Sequence, residues 1–155
     1  MTPYPAAEIS PAEFEGMVGQ ILNLAWQGTS QYTVTVHDKI TAADGAYDLD
    51  ATVRSQQGGM EFVTVVEAKR HRHPIRRDLV QVLLQKVRSI GAHKGLMIAT
   101  TTYQKGAIEY ARAHGVALAT VTLDRPPPWA GLTFVGPLSV IGGLPVFMVV
   151  WMKFL

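Results

Sequence analysis

Two side chains with complementary chemistry lie two positions apart near the middle of the sequence, Glu67 and Lys69. Residues i and i+2 of a β-strand project from the same face, so in a strand this carboxylate and this ammonium lie side by side. A carboxylate can hold a divalent cation, while a neighbouring lysine orients a water molecule or stabilises charge on a phosphate. The pair therefore indicates phosphodiester hydrolysis.

A second acid is expected on the preceding strand, because Mg²⁺ favours several oxygen ligands. Asp48 and Asp50 lie there and share one face by the same period of two. Asp44-Gly45 predicts a turn that brings Asp48 to the start of that strand. The neighbouring strand therefore offers the expected second acid, with Asp48 at its start and ranked before Asp50. We interpret Asp50 as a supporting group or a salt-bridge partner.

An ordinary cross-strand ion pair is the alternative interpretation of Glu67 and Lys69, and such pairs are common and of little energetic consequence. An acid two positions before a lysine is a short pattern that also arises by chance. Lys69 is the one lysine of this sequence that has it. The triplet alone favours the structural ion pair. The residues around it must therefore decide between an ion pair and a catalytic site.

A run of cations follows directly, in a chain whose net charge is only +2. The run consists of Lys69, Arg70, Arg72, Arg76 and Arg77, with His71 and His73 between them and no acid. Charge runs are usually solvated surface, but one beside a candidate active site predicts contacts with the phosphate backbone of a nucleic acid. The two histidines have no third ligand at a suitable spacing, which disfavours a zinc site.

The elements that must position these side chains follow from hydrophobic periodicity and turn residues. Ser10, Pro11 and Glu13 predict a capped helix that ends at Gly28. Strands are predicted for Tyr32–Val36, Tyr47–Arg54, Met60–Ala68, Gly95–Thr100 and Val116–Val121, a polar turn-like segment for His37–Gly45, and further helices for Asp78–Ile90 and from a Thr102 cap to His114. The strand–helix–strand alternation indicates an α/β fold with a central mixed β-sheet flanked by helices, in the order α-β-β-β-α-β-α-β.

The composition is typical of one folded domain in a reducing compartment. The chain has 155 residues, 48% of them hydrophobic and 17% charged, and no cysteine. Disulfides and cysteine-based zinc sites are therefore excluded, and the cytoplasm is the expected location. The first ten residues lack the pattern of a secretory signal.

The composition changes at Pro126-Pro127-Pro128, after which no charged residue occurs until Lys153. We predict a core over residues 1–125 and an apolar extension over residues 126–155. The prolines and glycines within that extension disfavour an unbroken membrane-spanning helix. We expect short strands that pack on the core and across a homodimer, and a membrane tether is the alternative.

Three segments in order resemble the Mrr-type restriction endonuclease family of the PD-(D/E)xK nuclease superfamily. The segment DGAYDLD at 44–50 resembles D-G-G-I-D-I, VEAKR at 66–70 resembles V-E-C-K-R, and GLMIATT at 95–101 resembles the K-G-x-x-V-T-T that follows. The resemblance runs from about Pro11 to Val121. It implies a restriction-endonuclease-like core and a Mg²⁺- or Mn²⁺-dependent deoxyribonuclease.

The resemblance also implies roles for individual residues. Asp48, Glu67 and the backbone carbonyl of Ala68 would bind the metal, Lys69 would be the essential cation, and Glu15 would be an additional acid at the border of the site. Related nucleases use a glutamine on the next helix, which points to Gln81, although Gln81 and Gln85 also fit a polar exposed face. Arg70, Arg72, Arg76 and Arg77 would contact DNA. A catalytically silent DNA-binding module of the same fold is the remaining alternative.

Overall fold

The computed structural model describes residues 10–123, 132–141 and 144–155. Within this part of the chain the helices and strands follow the predicted order, with two strands added at the end. The elements are α1 (Pro11–Trp26), β1 (Tyr32–Ala42), β2 (Gly45–Gln57), β3 (Met60–Lys69), α2 (Arg77–Ile90), β4 (Lys94–Ala99), α3 (Lys105–His114), β5 (Ala117–Leu123), β6 (Leu132–Ile141) and β7 (Leu144–Phe154).

The strands form one mixed sheet in the order β1-β2-β3-β4-β5-β7-β6. The first three strands are an antiparallel meander, and β3, β4 and β5 are parallel. Helices α2 and α3 provide the crossovers that parallel neighbours require. The carboxyl ends of β3 and β4 therefore lie at the same edge, where Lys69 is the register partner of Ala99.

Local sequence accounts for the start of α1 and for the turn that sets the register between β2 and β3. Ser10 and Glu13 form the predicted capping box at the start of α1, with hydrogen bonds of 2.6 and 3.1 Å. Gly58 and Gly59 have φ values of +57° and +77°, and they join β2 to β3 as a two-residue turn. Two successive positive φ values are what a tight hairpin turn of this hand requires, and glycine adopts them without strain.

Helices cover both faces of the sheet. On one face, α1 buries Phe14, Ile21 and Leu22 against strand residues that include Val53 and Val66. On the other face, α2 and α3 bury a second set against the sheet, namely Val80, Leu83, Val87, Ala107 and Ala111 against Val65, Met97 and Leu118. The predicted α/β class with a mixed sheet between helices is confirmed.

The β1–β2 hairpin bends where it passes the end of β3. Ala51 packs in the α1 cluster, yet Leu49, two residues earlier on the same strand, packs in the α2 cluster. An unbent strand would keep both side chains on one face. Opposite the bend, His37 interrupts β1 with a φ of +51°, in the left-handed region that few non-glycine residues adopt. The outer half of the hairpin therefore lies over α2.

The structure corrects the sequence-based interpretation at three places. Residues 37–42 were expected to be turn-like but belong to β1, because they pair with β2 as far as Ala42 opposite Gly45. Helix α3 begins at Lys105 rather than after a Thr102 cap, since the Thr102 carbonyl accepts a hydrogen bond from the Ile75 amide at 2.9 Å. The apolar tail forms two strands of ten and eleven residues, longer than expected.

The predicted division at residue 125 lies outside the described residues, and β7 continues the sheet by pairing antiparallel with β5. Over the described ranges, no helix is long and apolar enough to cross a membrane.

Candidate active site

The side chains of Glu67 and Lys69 meet at the carboxyl end of β3. Both follow Val65 at steps of two, so they project from the face that α2 covers. The Glu67 side chain is only 7% exposed, and its Oε2 lies 2.9 Å from the ammonium nitrogen of Lys69. A charged group buried this deeply needs compensating partners, because removal from water disfavours its ionised form.

A second cation reaches Glu67 from α2. The ammonium of Lys86 donates a hydrogen bond to Oε1 of Glu67, so each carboxylate oxygen has its own lysine. Lys86 was not among the residues predicted from the sequence. A signal was present, because Lys86 lies three residues after Leu83 and four before Ile90, within the apolar stripe of the helix. A cation in a buried stripe needs a partner, and Glu67 is that partner.

The two lysines keep Glu67 ionised. Burial by itself raises the pKa of this carboxyl group, but hydrogen bonds and charge from Lys69 and Lys86 outweigh burial, so the pKa is lower than the ordinary value of 4.5. At neutral pH the site therefore contains a buried carboxylate, which is the form that binds a divalent cation.

Asp50 lies closest in register to this pair on β2. The ladder between β2 and β3 ends with Ala51 opposite Val66, which brings Asp50 next to Glu67. The amide of Ala68 donates a 2.7 Å hydrogen bond to Oδ2 of Asp50. The middle residue of Glu67-Ala68-Lys69 is therefore attached to a carboxylate of the neighbouring strand.

The structure places Asp48 farther out on the hairpin. Its side chain is 85% exposed, and its Oδ1 lies 3.9 Å from the ammonium of Lys39, its register partner on β1. An exposed ion pair at this distance contributes little to stability and leaves the carboxylate accessible to solvent. The contacts of Ala68 thus favour Asp50, whereas the family pattern favours Asp48.

Glu15 approaches the bend from the other side of the sheet. Its Oε2 lies 3.9 Å from Nδ1 of His37, the residue with positive φ. His37 lies between Val36 and Asp38, which pair with Ala51 and Leu49, so it is opposite Asp50. Glu15 therefore borders the hairpin bend, and the structure links it to His37.

Gln81 and Gln85 lie on the outer surface of α2. Both are exposed, and they line a surface groove with Leu84, Arg88 and Tyr110 of α3. Lys86, rather than either glutamine, is the α2 residue that contacts Glu67. The position of Gln81 agrees with the alternative prediction of a polar exposed face.

The basic run spans the loop between β3 and α2, from Lys69 at the end of β3 to Arg77 at the start of α2. Arg72, Arg76 and Arg77 are exposed and Arg70 is half-buried. Arg76 pairs with Asp78 at 3.3 Å, and the Arg77 guanidinium lies 5.0 Å from the centre of the Tyr110 ring. Arg72 is exposed and lies three residues after Lys69, so it is well placed to contact a ligand at the site.

Backbone hydrogen bonds fix this loop against the end of β4. The Ile75 amide donates to the Thr102 carbonyl at 2.9 Å, and the Gln104 amide donates to the Ile75 carbonyl at 2.9 Å. The Thr100 hydroxyl donates to the carbonyl of His71 at 3.3 Å. Burial, helped by the charges of Lys69 and Arg70, lowers the pKa of His71. The loop therefore starts from a fixed position beside the site.

The donors at this end of the sheet suit a hard divalent cation. Glu67 and Asp50 provide carboxylate oxygens on adjacent strands, and Mg²⁺ is commonly held by one or two carboxylates with water completing the shell. The Lys86 ammonium shows that Oε1 of Glu67 accepts a cation. Among the residues whose side chains the structure describes, no three His, Cys, Asp or Glu residues are grouped as a closed metal site.

An α/β protein with a buried Glu-x-Lys at the carboxyl end of a central strand has the architecture and the motif of a nuclease-like domain. Comparison with known families is decisive, because the family model Mrr_cat, described as restriction endonuclease, matches residues 6–123. The chain belongs to this restriction endonuclease family, which confirms the resemblance found in the sequence.

Two solved structures share the fold. A protein of unknown function, AF1548, superposes with a TM-score of 0.54 at 13% sequence identity, over 68% of this chain and 56% of that one. The DNA modification-dependent restriction endonuclease AspBHI superposes with a TM-score of 0.50 at 18% identity, over 73% of this chain and 29% of that one. The matched region is thus about half of the first protein and under a third of the second. No curated protein matches this chain in sequence.

Proposed function

We propose that this protein is a metal-dependent endonuclease that hydrolyses phosphodiester bonds in DNA. The observation that carries the proposal is the Glu67 carboxylate, 7% exposed, with the Lys69 ammonium 2.9 Å from it at the carboxyl end of β3. Membership of the restriction endonuclease family supports DNA as the substrate. The similarity to AspBHI supports the fold alone.

Lys69 is proposed as the cation that acts on the reacting phosphate. Its side chain is 24% exposed, so its ammonium lies between the buried carboxylate and solvent. From there it can orient the attacking water or stabilise the negative charge that develops on the phosphate. Both actions help the transition state more than the ground state, so they affect rate more than DNA binding.

Glu67 and one β2 carboxylate are proposed as the ligands of Mg²⁺ or Mn²⁺, with the Ala68 carbonyl as a further donor. The family pattern assigns Asp48 as the second acid, whereas the hydrogen bond from Ala68 favours Asp50. When bound, a divalent ion supplies Lewis-acid stabilisation of charge on the phosphate. Glu15, next to His37 at the bend, is proposed as an acid at the border of the site. Gln81 stays a weaker candidate, because it faces away towards Tyr110.

The basic loop is proposed to bind the DNA backbone. Arg70, Arg72, Arg76 and Arg77 follow the catalytic strand directly, and phosphate contacts by arginine position DNA without reading its sequence. We also propose a homodimer through residues 126–155, because this segment has no charged residue before Lys153 and such an apolar surface needs covering. A dimer would also supply two active sites, which suits cleavage of both strands of a duplex. A DNA substrate suits the cytoplasm, and a membrane tether through that tail is the less favoured arrangement.

The proposal is tested by a cleavage assay with supercoiled, linear, single-stranded, branched and methylated DNA, in Mg²⁺, Mn²⁺ or EDTA. We expect cleavage of at least one substrate with either metal ion and none in EDTA. Lys69→Ala should lower the single-turnover rate by about 10²- to 10³-fold, because it removes a cation that stabilises the transition state. Its DNA affinity, measured by fluorescence anisotropy in Ca²⁺, should change little.

Lys105→Ala is the matched control, since Lys105 also lies near a glutamate, Glu109, at 3.6 Å but on the exposed surface of α3. It should cleave at the wild-type rate. Equal rates for Lys69→Ala and wild type would refute the assignment. Tight DNA binding without cleavage by the wild-type protein in any metal would instead identify a silent DNA-binding module.

A further inference from the structure

The candidate site contains more positive charge than the Glu-x-Lys motif explains. Glu67 is the buried acid, and its two oxygens bind two ammonium groups, one from β3 and one from α2. Lys69 belongs to the motif, but Lys86 comes from a different element, 19 positions after Glu67 in the chain. The second lysine therefore needs its own explanation.

Lys86 and a divalent cation would compete for the same atom. The ammonium of Lys86 lies on Oε1 of Glu67, and Lys69 takes Oε2. Lys69 follows Glu67 by two residues on the same strand, so the backbone of β3 keeps Lys69 beside Glu67. Oε1 has a second lone pair, so the competition is one of charge rather than of a filled position. A divalent cation on Oε1 would lie close to the Lys86 ammonium, and the two positive charges would repel each other unless the ammonium moved away.

We propose that Lys86 is a resident counterion of the metal site, which neutralises Glu67 until a divalent cation displaces it. The inference rests on the proposed function, because it takes Glu67 as a metal ligand. In the absence of metal, Lys86 offsets the unfavourable burial of the carboxylate. In its presence, the ammonium moves away. The expected consequence is that Lys86 weakens metal binding.

The side chain of Lys86 has the freedom that this exchange requires. It is 24% exposed, so a path to water exists on the outer side of the site. Val82, one turn earlier on the same side of α2, is half exposed, which shows that this part of the helix surface is open. Lysine carries its charge on a flexible four-carbon chain, so the ammonium can turn to solvent while α2 stays in place.

The test is calorimetric titration of the full chain with MnCl₂, without DNA, for wild type, Lys86→Met, Lys86→Gln and Lys105→Met. Both Lys86 variants should bind Mn²⁺ about tenfold more tightly, the effect expected when a hydrogen-bonded charged competitor is removed. Lys105→Met loses the same charge from the exposed Lys105–Glu109 pair and should bind like wild type. A further variant, Lys86→Arg, keeps a competing cation and should bind Mn²⁺ no more tightly than wild type does.

The titration separates the two proposals. Equal or weaker Mn²⁺ binding by folded Lys86→Gln overturns the counterion role and leaves the nuclease proposal intact. Undiminished Mn²⁺ binding by Glu67→Gln, or no binding by wild type and the Lys86 variants alike, removes the metal role of Glu67 and overturns both. Circular dichroism checks the fold of each variant, and the glutamine variant serves if methionine disturbs packing.

Discussion

Strand β3 has a glutamate near each end, and each glutamate forms an ion pair in a different environment. At the hairpin end, Glu61 pairs with Arg54 of β2 at 3.4 Å, and its side chain is 51% exposed. At the other end, Glu67 pairs with Lys69 and Lys86, and its side chain is 7% exposed. Both glutamates form ion pairs on the sheet, but only Glu67 is buried.

Burial is therefore what separates a surface ion pair from a candidate site in this molecule. Water screens the charges of Glu61 and Arg54, and such a pair typically contributes about 0 to 1 kcal/mol. Removing Glu67 from water is unfavourable unless its partners remain, so its environment is fixed by the fold. That fixed and charged environment is the condition under which carboxylates bind metal ions and lysines act on phosphates.

The largest expected difference between the two ends is in DNA cleavage. Glu67→Gln should lower the single-turnover cleavage rate by about three orders of magnitude, because the proposed metal site loses its buried carboxylate. Glu61→Gln, the matched change on the same strand, should cleave like wild type. A similar loss in both variants would mean that the defect comes from disturbing β3 rather than from removing a catalytic group.

The second expected difference concerns the two acids of β2. Asp50→Asn should lower the cleavage rate by about 100-fold, since Asp50 accepts the amide of Ala68 within the motif. Asp48→Asn should have the smaller effect, since its carboxylate is exposed and lies beside Lys39. The reverse order of rates would show that the family motif, rather than this geometry, identifies the ligand.

The third expected difference is in the pH dependence of stability without metal. The pKa of Glu67 is lowered in the folded protein, so its ionised form stabilises the fold above the ordinary value of 4.5. That contribution falls as the pH drops below 4.5 and through the lowered folded value. Urea unfolding in EDTA should show wild type more stable than Glu67→Gln by about 1 to 2 kcal/mol at neutral pH.

This advantage over Glu67→Gln should shrink steadily as the pH falls below 4.5. Glu61→Gln should differ from wild type by less than about 1 kcal/mol at any of these pH values, as expected for an exposed pair. A wild-type advantage over Glu67→Gln that grows in acid would contradict the role of the two lysines.

The smallest expected difference is in DNA binding by arginines near the two ends. Arg72→Ala should reduce the slope of log affinity against log salt by about one unit, because an exposed cation beside the site would release a counterion. Arg54→Ala should leave the slope unchanged, because Arg54 is committed to Glu61 and Asp38. Anisotropy titrations in Ca²⁺ at several salt concentrations measure both. Equal slopes for all three proteins would make the basic loop a solvated surface.

The sequence by itself determined the features that depend on local periodicity. The period of two puts Glu67 and Lys69 on one face, and Gly58-Gly59 specifies the hairpin that aligns β2 with β3. The capping box starts α1, and alternating apolar patterns give the order of strands and helices. Each of these signals lies within one element or one turn, so it can be recognised without knowing which distant residues pack against it.

Only the tertiary structure decided which distant groups meet Glu67. Lys86 reaches it because the parallel crossover lays α2 across β3, and periodicity alone names no partner for a lysine within an apolar stripe. The bend at His37 and Asp50 sets which β2 acid approaches Ala68, and it depends on the outer hairpin packing over α2. Strand β7 lies between β5 and β6 in the sheet. Backbone hydrogen bonding is the same for any apolar strand, so the local sequence does not decide which strand pairs with β5.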